Sequence, residues 1–519
     1  MEEARARARN NAAWWDRLTE DQQQALIKTY PHDIGNAEGI PAAARHNANH
    51  QVVQELRDRA DRVQSKIDDG VRPTRAERKL LRQVNRLDLA LRKATADAER
   101  AGVGEPLLLA FDPAEFGGDG RAVLSFGADP YKADSVSWHV PGVATTVHSL
   151  FGFYTECALN HLQSTLAENP NGSVASIAWI GYDTPSGMGI LRAAGHKLAR
   201  TGGDVLYSDI AAFNAARDVM AGDGSHFSGN HIFGYSYGST TTGYAGQDGR
   251  LAGEITTVSL VGSPGAGPLR HAEEFGIRAD HVFVASSSRD IVTALGGRTP
   301  GSSGRILGIG LGVDPAMDHF GAQRIAAEFP PARNHLLTGG THHAYYLNTD
   351  TGSRVRSESL TNLGRIAAGH HDQVSHEPHR TPDGRRTVEP AAHRSAPRIW
   401  NPRWRSDPDG ARIDPDLARR QEEYRAEDLT TRYVDTRNAI PLRDVVDNPT
   451  RENIRQLADD LSGVYGPYRV RFADAEFVNN EVLLTGKIFN GDTEIGTIQR
   501  SFYLDSEQNL VAYHSGTVI

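Results

Sequence analysis

Short apolar runs alternate with helix-length segments between residues 105 and 340, and this alternation is the strongest constraint on the fold. Two runs, PLLLAF and RAVLSF, flank a glycine-rich turn at residues 117–120 and predict paired antiparallel strands. Further apolar runs lie at 135–140, 173–180, 231–235, 255–261, 281–286 and 334–338. Strands separated by helices form a mostly parallel sheet that is covered on both faces. The pattern therefore predicts an α/β fold with eight strands.

The chain of 519 residues is longer than one hydrophobic core usually serves, so several domains are expected. Residues 1–103 have helical periodicity with a break at 69–73, which predicts a helical region or lid before the α/β domain of residues 104–370. Residues 371–410 lack periodicity and predict a linker. Its histidines do not have the spacing of a metal site: His371, His376, His379 and His393. Residues 411–519 predict a small α+β domain of unknown role.

Charge and cysteine content exclude several classes of protein. The net charge of -9 comes without a sustained basic face, which argues against nucleic acid as a partner. Cys157 is the only cysteine, so neither an intrachain disulfide nor a multi-cysteine metal cluster can form. There is no apolar run of about 18 residues and no export signal of the usual kind. A soluble protein is expected, cytoplasmic by default, with a non-classical export route left open.

The segment HIFGYSYGSTTTG contains Gly-x-Ser-x-Gly at Gly234, Ser236 and Gly238, directly after an apolar run and before a helix-length segment. This setting is typical of a nucleophile elbow, in which the flanking positions must be small because neighbouring backbone passes close by. The serine then lies at a helix N-terminus, where the N–H of Tyr237 is a candidate oxyanion donor. The alternative is a glycine-rich turn with an incidental serine.

A second oxyanion donor is expected after the third strand, where SVSWHVPGVATT ends in Pro141-Gly142. The N–H of Val143, with Gly142 beside it, is the candidate. An ordinary turn from strand to loop is the alternative explanation of this glycine.

Serine needs a base to remove its proton, and the base needs an acid to orient it. Asp290 follows a strand at the expected sheet edge and is the candidate acid; Asp314 and Asp318 are weaker choices because no strand precedes them. The candidate bases are the adjacent His342 and His343, of which only one can reach the serine. His319 is a further, weaker candidate for the base.

These motifs resemble an actinobacterial α/β-hydrolase family of unassigned substrate, over residues 14 to about 370. The resemblance rests on WWDRLTEDQQQAL, IGNAEGIPAAARHNAN, VPG, WIGYDTP, GYSYGS and THHAYYL. It implies that His342 is the base, because the family's base stands three residues before a tyrosine, here Tyr345. His343 stands where the family usually has a small residue.

The WIGYDTP segment ends the fourth predicted strand near the expected site, so Tyr182 and Asp183 are candidates for the substrate pocket, with Gly142. The resemblance also implies that the N-terminal helices belong to the hydrolase unit and cover its active site. The C-terminal domain resembles modules appended to such hydrolases in secreted or toxin-like proteins.

The residues predict a serine hydrolase that cleaves a carboxylic ester, with lipid weakly favoured, and needs no metal or organic cofactor. An amidase or peptidase using the same site is one alternative. Another is a hydrolase fold that serves as a non-catalytic interaction module. A third is an effector that binds a protein partner through its C-terminal domain.

Overall fold

The computed structural model describes residues 2–148, 151–186, 195–221, 229–287, 290, 292–297, 311–327, 343, 345–347, 357–377, 379–380, 450–465, 468–478, 481–490, 492–504 and 510–514. The chain divides into two compact units. The first comprises Met1–Glu55, Leu87–Thr349 and Arg356–Trp400. The second comprises Leu56–Arg86, Asp350–Val355 and Asn401–Ile519.

The chain begins with five helices: α1 Glu2–Trp15, α2 Glu20–Thr29, α3 Pro31–Asn36, α4 Ala42–Asp68 and α5 Arg75–Ala101. Helix α2 starts at a capping box, in which the Thr19 hydroxyl accepts the Gln22 N–H at 3.3 Å and the Gln22 side chain accepts the Thr19 N–H at 3.0 Å. Helices α4 and α5 flank the predicted break, and Ala60 and Val63 cluster with Leu81 and Val84.

The sheet of the first unit has eight strands, as predicted: β1 Leu107–Asp112, β2 Arg121–Gly127, β3 Ser135–Val140, β4 Val174–Ile180, β5 Gly229–Tyr235, β6 Thr257–Val261, β7 Val282–Ala285 and β8 Gln323–Ile325. Their order is β1-β2-β4-β3-β5-β6-β7-β8. Strand β2 is antiparallel to both neighbours, and the remaining pairs are parallel. The predicted strand at 334–338 lies outside the described residues, and the eighth position is filled by β8.

Both faces of the sheet are covered. Every residue of β3, β4, β5, β6 and β7 is buried, as expected for parallel strands between two layers of helices. The covering helices are α6 Phe151–Glu168, α7 His196–Met220, α8 Tyr237–Gly246 and α9 Glu358–Ala367. Short turns of 3-10 helix lie at Gln247–Gly249, Ala272–Phe275, Ala279–His281, Thr293–Leu295, Asp318–Phe320, Tyr345–Leu347 and His371–Gln373, and a four-residue helical turn at Glu115–Gly118.

The N-terminal helices cover the outer edge of this sheet. The Asn36 side chain donates to the Phe111 carbonyl at 3.0 Å and accepts its N–H at 3.1 Å, and Asn49 donates to the Leu108 carbonyl at 2.9 Å. These bonds satisfy backbone groups of β1 that an open edge would leave exposed. Other contacts of the predicted lid lie away from this edge: Arg5 pairs with Glu254, and Lys93 pairs with Glu156 of α6 at 2.8 Å.

Part of the predicted linker packs on the opposite side of the sheet. His376 forms a bridge with Ile325, and Arg380 forms one with Met317. The Arg380 guanidinium also lies 3.0 Å from the Asp314 carboxylate, and both side chains are buried. His376 and Arg380, which were predicted to lie in a linker, thus belong to the fold of the first unit. Backbone pairing and an ion pair hold them there, and neither leaves an apolar pattern in the sequence.

The second unit contains helix α10 Arg451–Leu461 and a five-stranded antiparallel sheet. Its strands are β9 Gly463–Tyr465, β10 Tyr468–Val478, β11 Glu481–Asn490, β12 Thr493–Leu504 and β13 Leu510–His514, in the order β13-β12-β11-β10-β9. The predicted α+β character is confirmed. Among the described helices, none has the length and apolarity needed to cross a bilayer.

Candidate active site

Ser236 lies at the turn between β5 and α8 with φ 55° and ψ −127°, a strained backbone conformation for a residue with a side chain. A Cβ at Gly234 would approach the Thr242 hydroxyl to 2.5 Å, and one at Gly238 would approach the Pro141 carbonyl oxygen to 2.6 Å. Only glycine therefore allows the two neighbouring segments to pass this close to the turn. The turn has the geometry of a nucleophile elbow.

The Ser236 hydroxyl is joined to a carboxylate through one imidazole ring. His343 Nε2 lies 2.8 Å from Ser236 Oγ, and His343 Nδ1 lies 2.8 Å from Asp290 Oδ2. Ser236 is 6% exposed and Asp290 is 3% exposed, whereas the His343 side chain keeps 16% of its surface accessible. The arrangement can transfer a proton from the hydroxyl to the ring while the carboxylate orients the ring.

The histidine in these contacts is His343 and not the first choice, His342. His342 lies outside the described residues, and the two bonds expected of the base are both made by its neighbour. Since the family resemblance places a tyrosine three residues after the base, the corresponding tyrosine becomes Tyr346 in place of Tyr345. The resemblance favoured His342 because the family usually has a small residue at position 343, whereas the structure places His343 between Ser236 and Asp290.

The other candidate acids and bases lie elsewhere. Asp314 pairs with Arg380, and its Oδ1 accepts the Ala316 N–H at 2.9 Å. The Asp318 side chain is half exposed, and the His319 ring lies 3.4 Å from it. The structure gives none of these three side chains a contact with Ser236.

The loop after β3 passes directly beside the serine. A Cβ at Gly142 would come within 2.8 Å of Ser236 Cβ and 3.3 Å of Ser236 Oγ, so a side chain here would fill the space over the nucleophile. Within the described residues, neither the N–H of Val143 nor that of Tyr237 donates to a protein acceptor. Both groups adjoin Gly142 or Ser236 in the chain and stay candidates for holding an oxyanion.

Tyr182 supports this loop from behind. The ring is 2% exposed, stacks on Trp179 at 5.9 Å, and its hydroxyl donates to the Pro141 carbonyl at 2.6 Å. The structure thus gives Tyr182 packing contacts beside the loop that carries Gly142, and a role in lining the substrate pocket stays a prediction. Asp183 is half-buried.

Three tyrosines escaped the sequence analysis. The Tyr154 hydroxyl accepts the Gly142 N–H at 2.6 Å, and the Tyr235 hydroxyl donates to the His343 carbonyl at 2.6 Å while its ring stacks on that histidine at 5.1 Å. The Tyr346 hydroxyl donates to Asp290 Oδ2 at 2.9 Å. Burial raises the pKa of all three phenols well above the ordinary value, so they remain neutral. Of the three, only Tyr346 could have been predicted from the sequence, because it stands three residues after His343.

One group of side chains has the composition of a metal site. The ligand atoms of His46, His50 and Glu105 lie within 4.8 Å of one another. However, His46 Nδ1 accepts the Leu108 N–H at 3.0 Å, so the proton of the neutral ring is on Nε2, the atom that faces Glu105. A metal-binding histidine has the opposite arrangement, with its second nitrogen as donor. The group therefore fits an edge contact of the sheet better than a metal ion.

A family model described as alpha/beta hydrolase matches residues 112–298, which include Ser236 and Asp290. The chain is 32% identical over 383 residues to Uncharacterized protein Rv2079 of Mycobacterium tuberculosis, a match covering 70% of this chain and 56% of that protein. It is also 32% identical over 219 residues to Uncharacterized protein Rv0963c of the same organism and to Uncharacterized protein Mb0988c of Mycobacterium bovis, covering 39% of this chain and 74% of each.

The chain thus spans little more than half the length of Rv2079, and about three quarters of the two shorter relatives. No solved structure matches it. The eight-stranded sheet and the matched family model agree with one another on an alpha/beta hydrolase domain. The chain belongs to the alpha/beta hydrolase family.

Proposed function

We propose that this protein is a serine hydrolase that cleaves carboxylic esters, with Ser236 as nucleophile, His343 as base and Asp290 as the acid that orients it. The observation that carries the proposal is the pair of 2.8 Å contacts that His343 makes, one from each ring nitrogen. A histidine with its two nitrogens directed at a hydroxyl and at a buried carboxylate is the arrangement that activates serine.

In the proposed reaction, Ser236 Oγ attacks the ester carbonyl carbon, and its proton moves to His343 Nε2. Asp290 stabilises the imidazolium, and the N–H groups of Val143 and Tyr237 hold the oxyanion of the tetrahedral intermediate. The intermediate collapses as the imidazolium protonates the leaving alkoxide, which leaves an acyl-enzyme. Water then repeats the sequence, so the acid is released and the serine regains its proton.

The surroundings of the histidine favour an ester with an apolar acyl group. Phe153 and Tyr154 lie 5.5 Å apart, Tyr154 and Tyr235 lie 6.0 Å apart, and Tyr235 stacks on His343. Phe153 is only half-buried, so part of an aromatic surface is accessible within this cluster. Such a surface suits aliphatic chains better than charged groups. Lipid esters are one member of this class.

Protein binding by the C-terminal unit stays a prediction.

The test is labelling with a fluorophosphonate probe, followed by mass spectrometry of the modified peptide. Labelling at Ser236 is expected in the wild type and absent from Ser236→Ala. The neighbouring histidines give a matched pair: His343→Ala should slow labelling by at least about a hundredfold, whereas His342→Ala should retain it. Labelling of a folded protein at another residue, or equal loss in both histidine variants, would contradict the assignment.

Once labelling is established, matched p-nitrophenyl esters and p-nitroanilides with acyl chains of increasing length would define the substrate class. Hydrolysis of esters alone is the expected result. Turnover of the anilides at similar rates would favour an amidase or peptidase.

A further inference from the structure

Tyr346 lies three residues after His343 and is fully buried. Its hydroxyl donates to Asp290 Oδ2 at 2.9 Å and accepts the Ser287 N–H at 2.7 Å. A phenol carries a single proton and a backbone N–H can only donate, so the hydroxyl proton must point at the carboxylate. The direction of both hydrogen bonds is thus determined by chemistry.

We propose that Tyr346 is a positioning residue of this site, whose hydroxyl holds the Asp290 carboxylate in the orientation that faces His343. The inference rests on the proposed function. Asp290 Oδ1 accepts the Val292 N–H at 2.8 Å, while Oδ2 is shared between the Tyr346 hydroxyl and His343 Nδ1. Three donors from different places along the chain fix the plane of the carboxylate, and the hydroxyl is the one that acts on the same oxygen as the imidazole.

The rings of Tyr346 and His343 are also held as a pair. Gly262 has φ 57°, and a Cβ there would lie 2.9 Å from the Tyr346 ring and 3.0 Å from the His343 ring. The Tyr346 carbonyl accepts the Ser359 hydroxyl at 2.6 Å, and the His343 carbonyl accepts the Tyr235 hydroxyl at 2.6 Å. Anchors on both residues therefore limit the movement of the short segment that carries the base.

The hydroxyl also has an electrostatic effect. By donating to Oδ2, Tyr346 withdraws negative charge from the oxygen that stabilises the imidazolium. Removal of the hydroxyl would leave the full negative charge of Oδ2 facing the imidazolium of His343. Among the described side chains, Tyr235 interacts electrostatically with Asp290, and Arg380 with Tyr346. Behind them, Tyr154 and Cys157 act on Tyr235, and Asp314 pairs with Arg380. The substitution leaves all five in place.

The experiment measures the rate of fluorophosphonate labelling at Ser236 across the pH range in the full-length wild type and in Tyr346→Phe. We expect the rate at the plateau to fall about tenfold or more because the imidazole is less well oriented. The acid limb of the profile should move to higher pH by roughly up to one unit. A purely structural role would lower stability without moving that limb.

Tyr131→Phe is the matched control. Tyr131 is equally buried, and its hydroxyl accepts from Arg45 at 2.8 Å and donates to Glu38 at 2.9 Å, in the same unit but without contact to Ser236. Its removal should lower the melting temperature and leave both the plateau rate and the acid limb unchanged.

If Tyr346→Phe fails to fold, 3-fluorotyrosine at position 346 keeps the ring and the hydroxyl while making the phenol a stronger donor. The acid limb should then move to lower pH. If the variant that folds shows the plateau labelling rate and the acid limb of the wild type, the positioning role is overturned and the nucleophile assignment stays intact. Absence of labelling at Ser236 in the wild type would instead overturn the proposed function, and the inference with it.

Discussion

Acidification should destabilise the first unit through histidines buried in its core. Burial lowers the pKa of His161 to about 4 and that of His231 to about 3, from an ordinary value of 6.5. His139, whose ring lies 5.0 Å from that of His161, has its pKa lowered in the same direction by burial. These rings are neutral in the folded protein because their positions beneath the helices exclude the water that would solvate a charge.

The sign follows from which state binds the proton. Unfolded histidine takes up a proton as the pH falls through 6.5, whereas folded His161 and His231 resist it until about pH 4 and about pH 3, so stability is lost across that interval. At about pH 5 each of the two costs about 2 kcal/mol of unfolding free energy relative to about pH 7.5, and the pair costs about 4 kcal/mol.

The assay is urea unfolding at both pH values, followed by fluorescence of the buried Trp138 and Trp179. The double variant His161→Gln and His231→Asn keeps a polar atom near each bonded nitrogen, Nε2 toward the Leu363 carbonyl and Nδ1 toward the Thr257 hydroxyl. It should lose about 4 kcal/mol less than the wild type on acidification.

The control is His32→Asn, which removes a histidine whose side chain is 54% exposed and lies outside the buried group. An equal loss of stability in the wild type and in the double variant would refute the reasoning, because the buried rings would then not be the groups that oppose protonation.

Three further outcomes are expected. Gly142→Ala should abolish labelling of Ser236 with little change in melting temperature, because the new methyl would lie 2.8 Å from Ser236 Cβ at the mouth of the site; wild-type labelling would contradict the close approach. Asp290→Asn should reduce the labelling rate by roughly three orders of magnitude or more, measured beside wild type at one pH, because an amide cannot stabilise the imidazolium. A loss below tenfold would contradict the assignment of Asp290 as the acid. Arg380→Gln should cost about 3 kcal/mol or more in urea unfolding, because Asp314 would keep a buried charge without its partner; an unchanged midpoint would argue against the ion pair.

Local chemistry accounts for the features that could be predicted. The alternation of apolar runs and helix-length segments is a pattern among residues close together in the sequence. It therefore predicted the sheet, its opening antiparallel pair and the helices that cover it. The turn at Ser236 was predictable because its glycines are needed by the turn itself. Prediction failed where local pattern was absent, as in the pairing of His376 and Arg380 with the far edge of the sheet.

By itself the sequence determined the fold class, the turn that carries Ser236 and the small set of residues from which an acid and a base could come. Only the tertiary structure chose His343 over its neighbour and brought Tyr154, Tyr235 and Tyr346 to the site. The reason is physical: His343 meets Ser236 across 107 residues of chain and Asp290 across 53, and the direction of each side chain depends on packing between segments that share no local pattern. Two adjacent histidines are equivalent in composition, and they become different only when a folded surface gives one of them both partners.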